Sequence, residues 1–350
     1  MRYYRNLFFS AFIVIVLLTL LTGSLPVSNA QEKLPPPPPP PPPKQQPKDD
    51  RQGDDTIRID ANLVLLDVTV LDKSNKFIKG IEQNKFQVFE DQVNQSISFF
   101  SQEQVPISYG IIVDTSGSMR RRLATVIKAA KTLINLSRPG DEVFIIDMKD
   151  SSNIELLEEY TTSLEDAMDA LDNMVSGGGT ALLDGIVLGG DYARKGKHRR
   201  KALVVISDGD ERDSSYSVED TLDKLREFDV QLYLIGFPED LSEDSGIFKR
   251  SAKKKAVDLI NKLAAESGGQ AYFPRELADL EPIAQKIGTD LRSQYTIGYY
   301  PSNDKQDGSF RRLSVKLVDN KEYAVRTRSG YYARKDGNTQ GGELIRRRGK

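Results

Sequence analysis

Asp114-Thr115-Ser116-Gly117-Ser118 sets a carboxylate and three hydroxyls, all oxygen donors, within five residues. Hard divalent cations such as Mg²⁺ and Mn²⁺ take six oxygens in near-octahedral geometry and usually keep several waters. One short turn cannot supply six ligands, so further donors must come from other chain segments. Gly177-Gly178-Gly179-Thr180 offers a hydroxyl on a flexible loop, and Ser207-Asp208-Gly209 closes a second apolar run, Ala202 to Ser207. Asp114, Ser116, Ser118, Thr180 and Asp208 then form a cluster poor in charge and rich in hydroxyls. Taken singly, Ser116 and Ser118 serve equally well as helix caps and Asp208 as a turn residue. Only the joint pattern points to a metal. Other chemistries lack their residues. There is no Cys, and the one His, His198, sits in the basic run Lys195 to Lys201. Disulfides and thiolate sites are excluded, and neither zinc centres nor Ser-His triads are expected.

These residues need elements to hold them. Ile107 to Val113 is an apolar run without period-2 alternation, as in a parallel strand buried on both faces. Leu123, Val126, Ile127, Ala130 and Ile134 follow at helical spacing. Asp114 therefore lies on a strand-to-helix turn, at the sheet edge where open α/β folds bind ligands. Onward, strands are expected at 142–147, 202–207, 230–237 and 271–273, with an edge strand at 154–160. Helices are expected over 164–175, 181–194, 218–228, 256–267 and 277–292, with Ser217 and Asp220 as a capping box. Alternating strands and helices predict an α/β domain with a doubly wound, mainly parallel sheet, over residues 105–293. The flanks read as β. Ile57, Ile59, Ala61, Leu63 and Leu65 alternate on one phase, and Leu66, Val68 and Val70 continue on the other. Two strand-like runs surround Glu90 to Gln95, and three more lie at 295–300, 313–318 and 323–328. About fifty residues of β structure make a small core alone. Segments 56–104 and 294–334 are therefore expected to join in one β-sandwich, with the α/β domain inserted between them.

A D-x-S-x-S after a buried strand, a Thr in a Gly-rich loop and S-D-G after a later strand together resemble the metal-ion-dependent adhesion site of von Willebrand factor type A domains. Asp114, Ser116, Ser118, Thr180 and Asp208 match that motif in order. The resemblance implies a Rossmann-like fold and a binding site, not a catalytic one. Asp114 and Asp208 would anchor the ion, partly through water, Ser116 and Ser118 would bind it directly, and Thr180 would join when a ligand is present. Mg²⁺ (or Mn²⁺) is the implied ion, and the implied partner is a protein presenting an acidic residue. NLVLLDVTVLD, FQVFEDQVNQSISFFSQEQVP and YTIGYYPSND also look like bacterial exported proteins called VWFA-related. Where Glu-Asp-Gly is expected in that group, this chain has Glu90-Asp91-Gln92, and a differently shaped hairpin is expected.

The N-terminus reads as a secretory signal, residues 1–30, with Arg2 and Arg5, an apolar run from Leu7 to Leu21 and Ser28-Asn29-Ala30 at the cleavage point. An uncleaved membrane anchor is the competing reading, since Leu7 to Leu25 can just span a bilayer. Residues 31–55 read as a linker, in which Pro35 to Pro43 form a stiff polyproline rod. This rod is a spacer or, alternatively, a ligand for a proline-binding groove. Residues 335–350 read as a disordered tail. The net charge of −2 gives no general attraction to nucleic acid, and the scattered basic runs read as solvated surface. The expected product is an exported, non-enzymatic binding module of the periplasm, cell envelope or exterior. The alternatives are an envelope-assembly scaffold whose partner binding needs no metal, and a metal-dependent hydrolase. An aspartyl-phosphate hydrolase lacks its second Asp, since Ser116 stands there. A two-ion phosphatase needs more carboxylates, although Asp210 and Glu211 lie close enough in sequence to assist a water.

Overall fold

The structure, a computed structural model, describes residues 63–209, 211–237, 247–318 and 322–335. The expected signal, proline-rich linker and C-terminal tail, with Asp210, lie outside the described residues.

Along the chain come β1 (Val64–Leu71), β2 (Phe86–Glu90), β3 (Val93–Gln95) and β4 (Ile97–Ser101). The alternating part follows: β5 (Ile107–Asp114), α1 (Leu123–Asn135), β6 (Glu142–Met148), β7 (Ile154–Thr161), α2 (Leu164–Asp172), α3 (Leu182–Ala193) and β8 (Arg200–Ser207). It continues through α4 (Val218–Phe228), β9 (Gln231–Gly236), α5 (Ile247–Glu266), β10 (Gln270–Tyr272) and α6 (Leu280–Asp290). The chain then returns to β11 (Tyr295–Tyr299), β12 (Phe310–Leu317), β13 (Ala324–Arg326) and β14 (Gly330–Tyr332).

A six-stranded sheet in the order β10-β9-β8-β5-β6-β7 forms the centre, parallel throughout except for β7, which runs antiparallel to β6. Every residue of β5 is buried, because helices cover both faces. Ile107, Tyr109, Ile111 and Val113 face one core with α1, α2 and α6, and Ile112 faces the other with α3, α4 and α5. Gly110 is needed between them: a Cβ there would fall inside the Phe144 ring, which lies across the strand. The chain winds outward from β5 in both directions, so the switch in strand order falls between β5 and β8. The C-terminal ends of those two strands carry the Asp114 and Asp208 turns.

Strands from the two chain flanks interleave in two antiparallel sheets, ordered β13-β1-β11-β4 and β14-β12-β2-β3. Both sheets feed one core, where Leu66, Val68, Phe86, Val88, Tyr295, Ile297 and Val315 meet. Of the two apolar phases in β1, the core takes Val64, Leu66, Val68 and Val70, while Leu63 is 39% exposed. The periodicity of the sequence names both phases and leaves open which one faces inward. Register is set by pairing with β11, and a one-residue shift exchanges the faces. The hairpin after β2 turns on Asp91 and Gln92, both at positive φ (46° and 71°), the geometry of a two-residue primed turn in which Gly is usual.

Two expectations are corrected. The helix expected over 164–175 ends at Asp172, and Val175 is 70% exposed instead of completing its apolar stripe. The run Lys195 to Lys201 is not simply solvated surface. Arg200 is fully buried, and its guanidinium reaches Asp67 of β1 at 3.3 Å, Thr296 of β11 at 3.2 Å and the Leu291 carbonyl at 3.3 Å. Arg199 joins at 2.7 Å from Asp67. Burial works against the Asp67 charge, yet Arg200 and Arg199 overcome it and hold its carboxyl below the ordinary value. Arg328 with Asp229 (2.6 Å) and Arg326 with Asp290 (3.2 Å) extend this ionic seam between the sandwich and the α/β layers.

Candidate metal centre

Asp114 is the last residue of β5, and both its oxygens are held. The Ser116 N–H donates to Oδ1 at 2.9 Å, and the Ser207 hydroxyl donates to Oδ2 at 2.6 Å. Ser207 ends β8 one step beyond the paired Val113 and Ile206, so parallel register brings it beside Asp114. Ser116 Oγ and Ser118 Oγ are 3.0 Å apart, with Ser116 buried and Ser118 exposed at the surface end of a 3₁₀ turn, Gly117–Arg121. Burial, and then the negative charge of Asp208, push the Asp114 carboxyl up to about 6. Four of the five residues picked out by sequence, Asp114, Ser116, Ser118 and Asp208, thus share one turn-lined site.

Thr180 arrives through its loop. Gly117 N–H donates to the Gly178 carbonyl at 3.2 Å and Gly177 N–H to the Thr115 carbonyl at 2.8 Å, seating 177–180 on the Asp114 turn. The Thr180 carbonyl accepts from Arg212 and Asp213 N–H, tying it to the loop after β8. Gly179 lets the Asp213 carboxylate sit against the loop, since a Cβ there would displace it.

Spacing alone gave no sign of three supporting roles: Ser207 on Asp114, the Thr115 hydroxyl bonded at 2.5 Å to Asp147, and Glu211 on the start of α3. Each depends on contacts between segments distant in the chain. Glu211 does not face the site as a base. Its carboxylate accepts from Leu183 N–H at the start of α3 (3.0 Å) and from Ser214 N–H (3.0 Å) and hydroxyl (2.9 Å), so it anchors the loop. Among the described residues, no three of His, Cys, Asp and Glu gather as a metal cluster. The site's two carboxylates are supplemented by hydroxyls, oxygen donors of the kind that hard cations accept.

Residues 110–211, which hold this whole turn cluster, match the family described as von Willebrand factor type A domain. Over that stretch, under a third of its length, the chain is similar to von Willebrand factor type A domains. Solved structures similar to it include a von Willebrand factor type A protein from Catenulispora acidiphila, at 15% identity over 73% of this chain and 65% of that one, TM-score 0.45. BatB from Bacteroides thetaiotaomicron is 18% identical over 53% of this chain and 100% of that one, TM-score 0.41. The D319A mutant of the PilB minor pilin from Streptococcus sanguinis is 12% identical over 55% of this chain and 63% of that one, TM-score 0.43. The chain thus spans less than two thirds of the Catenulispora protein and of the pilin. A search of the curated proteins finds no match. Among the described residues no helix is long and apolar enough to cross a membrane.

Proposed function

We propose that this chain is an exported, metal-ion-dependent protein-binding module of the adhesion type. Asp114, Ser116, Ser118, Thr180 and Asp208 would hold Mg²⁺ (or Mn²⁺), and an acidic side chain of a protein partner would complete the site. The observation that carries the reading is the Asp114 carboxylate, buried against the charge of Asp208 beside the paired hydroxyls of buried Ser116 and exposed Ser118. Like charges forced together out of water need a counter-charge. The oxygen-only donor set fits a hard cation, and the Thr180 hydroxyl adds one more oxygen to it. A bound ion would supply a positive centre with a coordination position open to the partner's carboxylate.

The chain's own residues prepare that position. Ser207 and the Ser116 N–H fix the Asp114 carboxylate, and Ser118 marks the mouth. With Glu211 committed to the start of α3, binding is the supported role rather than turnover. Calorimetric titration of Mg²⁺ and Mn²⁺ into the chain, beside Asp114→Ala, tests this. Saturable one-site heat lost in the variant is expected. Equal heats, or none in either protein, overturn it.

A further inference from the structure

Three arginines follow the Ser118 mouth directly, and their surroundings differ. Arg122 is half-buried, lies 5.2 Å from the Phe237 ring centroid and feels the charge of Asp208. Arg120 and Arg121 are exposed. Arg120 donates to the Ser176 hydroxyl at 3.2 Å, which ties the 3₁₀ turn to the loop carrying Val175, and neither arginine forms an ion pair with a described residue. Val175 beside that contact is 70% exposed, the largest exposure among the large hydrophobic side chains described. Further along the same loop lie carboxylates, with Asp213 beside Gly179 and Asp150 beside Gly178. The surface beside Ser118 is therefore cationic with an apolar neighbour.

We propose that Arg120, Arg121 and Val175 form a specificity rim that selects a partner loop in which the metal-completing carboxylate is flanked by further carboxylates and an apolar side chain. This rests on the metal-site reading above and names the class of partner that fits it. Two guanidiniums held on a short turn match carboxylates bidentately. Their exposure makes each contact individually small and salt-sensitive, so they discriminate among partners more than they add affinity.

The test uses the full chain over surfaces of immobilised synthetic peptides: Gly-Val-Asp-Glu-Glu-Gly, the same peptide with Lys-Lys in place of Glu-Glu, one with Gly in place of Val, and one with Asn in place of Asp. In Mg²⁺ the acidic peptide is expected to be retained about tenfold more than the Lys-Lys peptide, as two exposed ion pairs allow. The preference should shrink as salt rises. The double variant R120E/R121E should invert it, which a merely structural role of these arginines would not do. Replacing Val by Gly in the peptide should weaken retention by the parent chain but not by Val175→Ser. An unchanged preference in R120E/R121E, with retention still dependent on Mg²⁺ and the central Asp, overturns the rim alone. Retention indifferent to EDTA or to Asn in place of Asp, or no retention of any peptide, overturns the metal-site reading and the rim with it.

Discussion

Burial and the Asp208 charge raise the Asp114 carboxyl from an ordinary value of 3.8 to about 6, and the sign of that shift has a consequence for stability. A group whose folded value is raised favours the fold when protonated. Its contribution is complete below 3.8 and is lost as pH rises through about 6, a span corresponding to about 3 kcal/mol. Without metal, the melting temperature is therefore expected to fall between pH 5 and pH 7 through this group. Mg²⁺ competes with the proton, so the rise it causes in melting temperature should be larger at pH 7.5 than at pH 5. Asp114→Asn should flatten the pH step and abolish the Mg²⁺ effect, because an amide keeps the shape and loses the charge. Thermal melts at both pH values, with and without Mg²⁺, decide it; equal Mg²⁺ shifts would count against the assignment. At this scale much was legible. Asp114, Ser116, Ser118 and Asp208 lie in short motifs whose spacing survives folding. In sequence Ser207 reads only as a strand end, because its role depends on which strand lies beside β5.

Among elements, the hairpin between β2 and β3 and the glycine loop before α3 each bear a local conformational constraint. Gln92 sits at a φ of 71°, where an L side chain is strained and glycine is not. Gln92→Gly is expected to stabilise the chain by about 1 kcal/mol, measured as a higher denaturant midpoint at unchanged slope. No gain would mean that tertiary packing already compensates the turn. Gly179→Ala should act the other way, displacing Asp213 and with it the seat of Thr180. It is expected to weaken Mg²⁺ binding by calorimetry with little loss of melting temperature, and unaltered affinity would detach this loop from the site. The capping box at α4 was readable in sequence and is present: the Ser217 hydroxyl accepts from Asp220 N–H at 3.1 Å, and Asp220 accepts from Ser217 N–H at 3.2 Å. The end of α2 was not readable. Val175 keeps the helical spacing, but the chain leaves the helix at Asn173 to reach the glycine loop.

For the whole molecule, Asp67 joins the sandwich to the α/β layers. It faces Arg199 and the fully buried Arg200, and its carboxyl is held below 3.8. A lowered value stabilises above the unfolded value and is lost as pH falls through the folded one, so the seam should hold at neutral pH and loosen only in acid below about pH 4. Asp67→Asn leaves the Arg200 charge buried without its carboxylate, and a loss of about 3 kcal/mol is expected in urea unfolding. A change within error would show that water or Thr296 satisfies Arg200 instead.

By itself the sequence determined the α/β order, the buried parallel strands and the oxygen cluster, because those depend on periodicity and on residues close together in the chain. It also indicated that the two β flanks were each too small to stand alone. Tertiary structure decided the rest. Pairing with β11 chose which phase of β1 faces inward, the β5–β8 register set Ser207 on Asp114, and the junction drew Arg200 out of a basic run that looked solvated. Each of these outcomes rests on a partner far away in the chain, and local propensity carries no information about such partners.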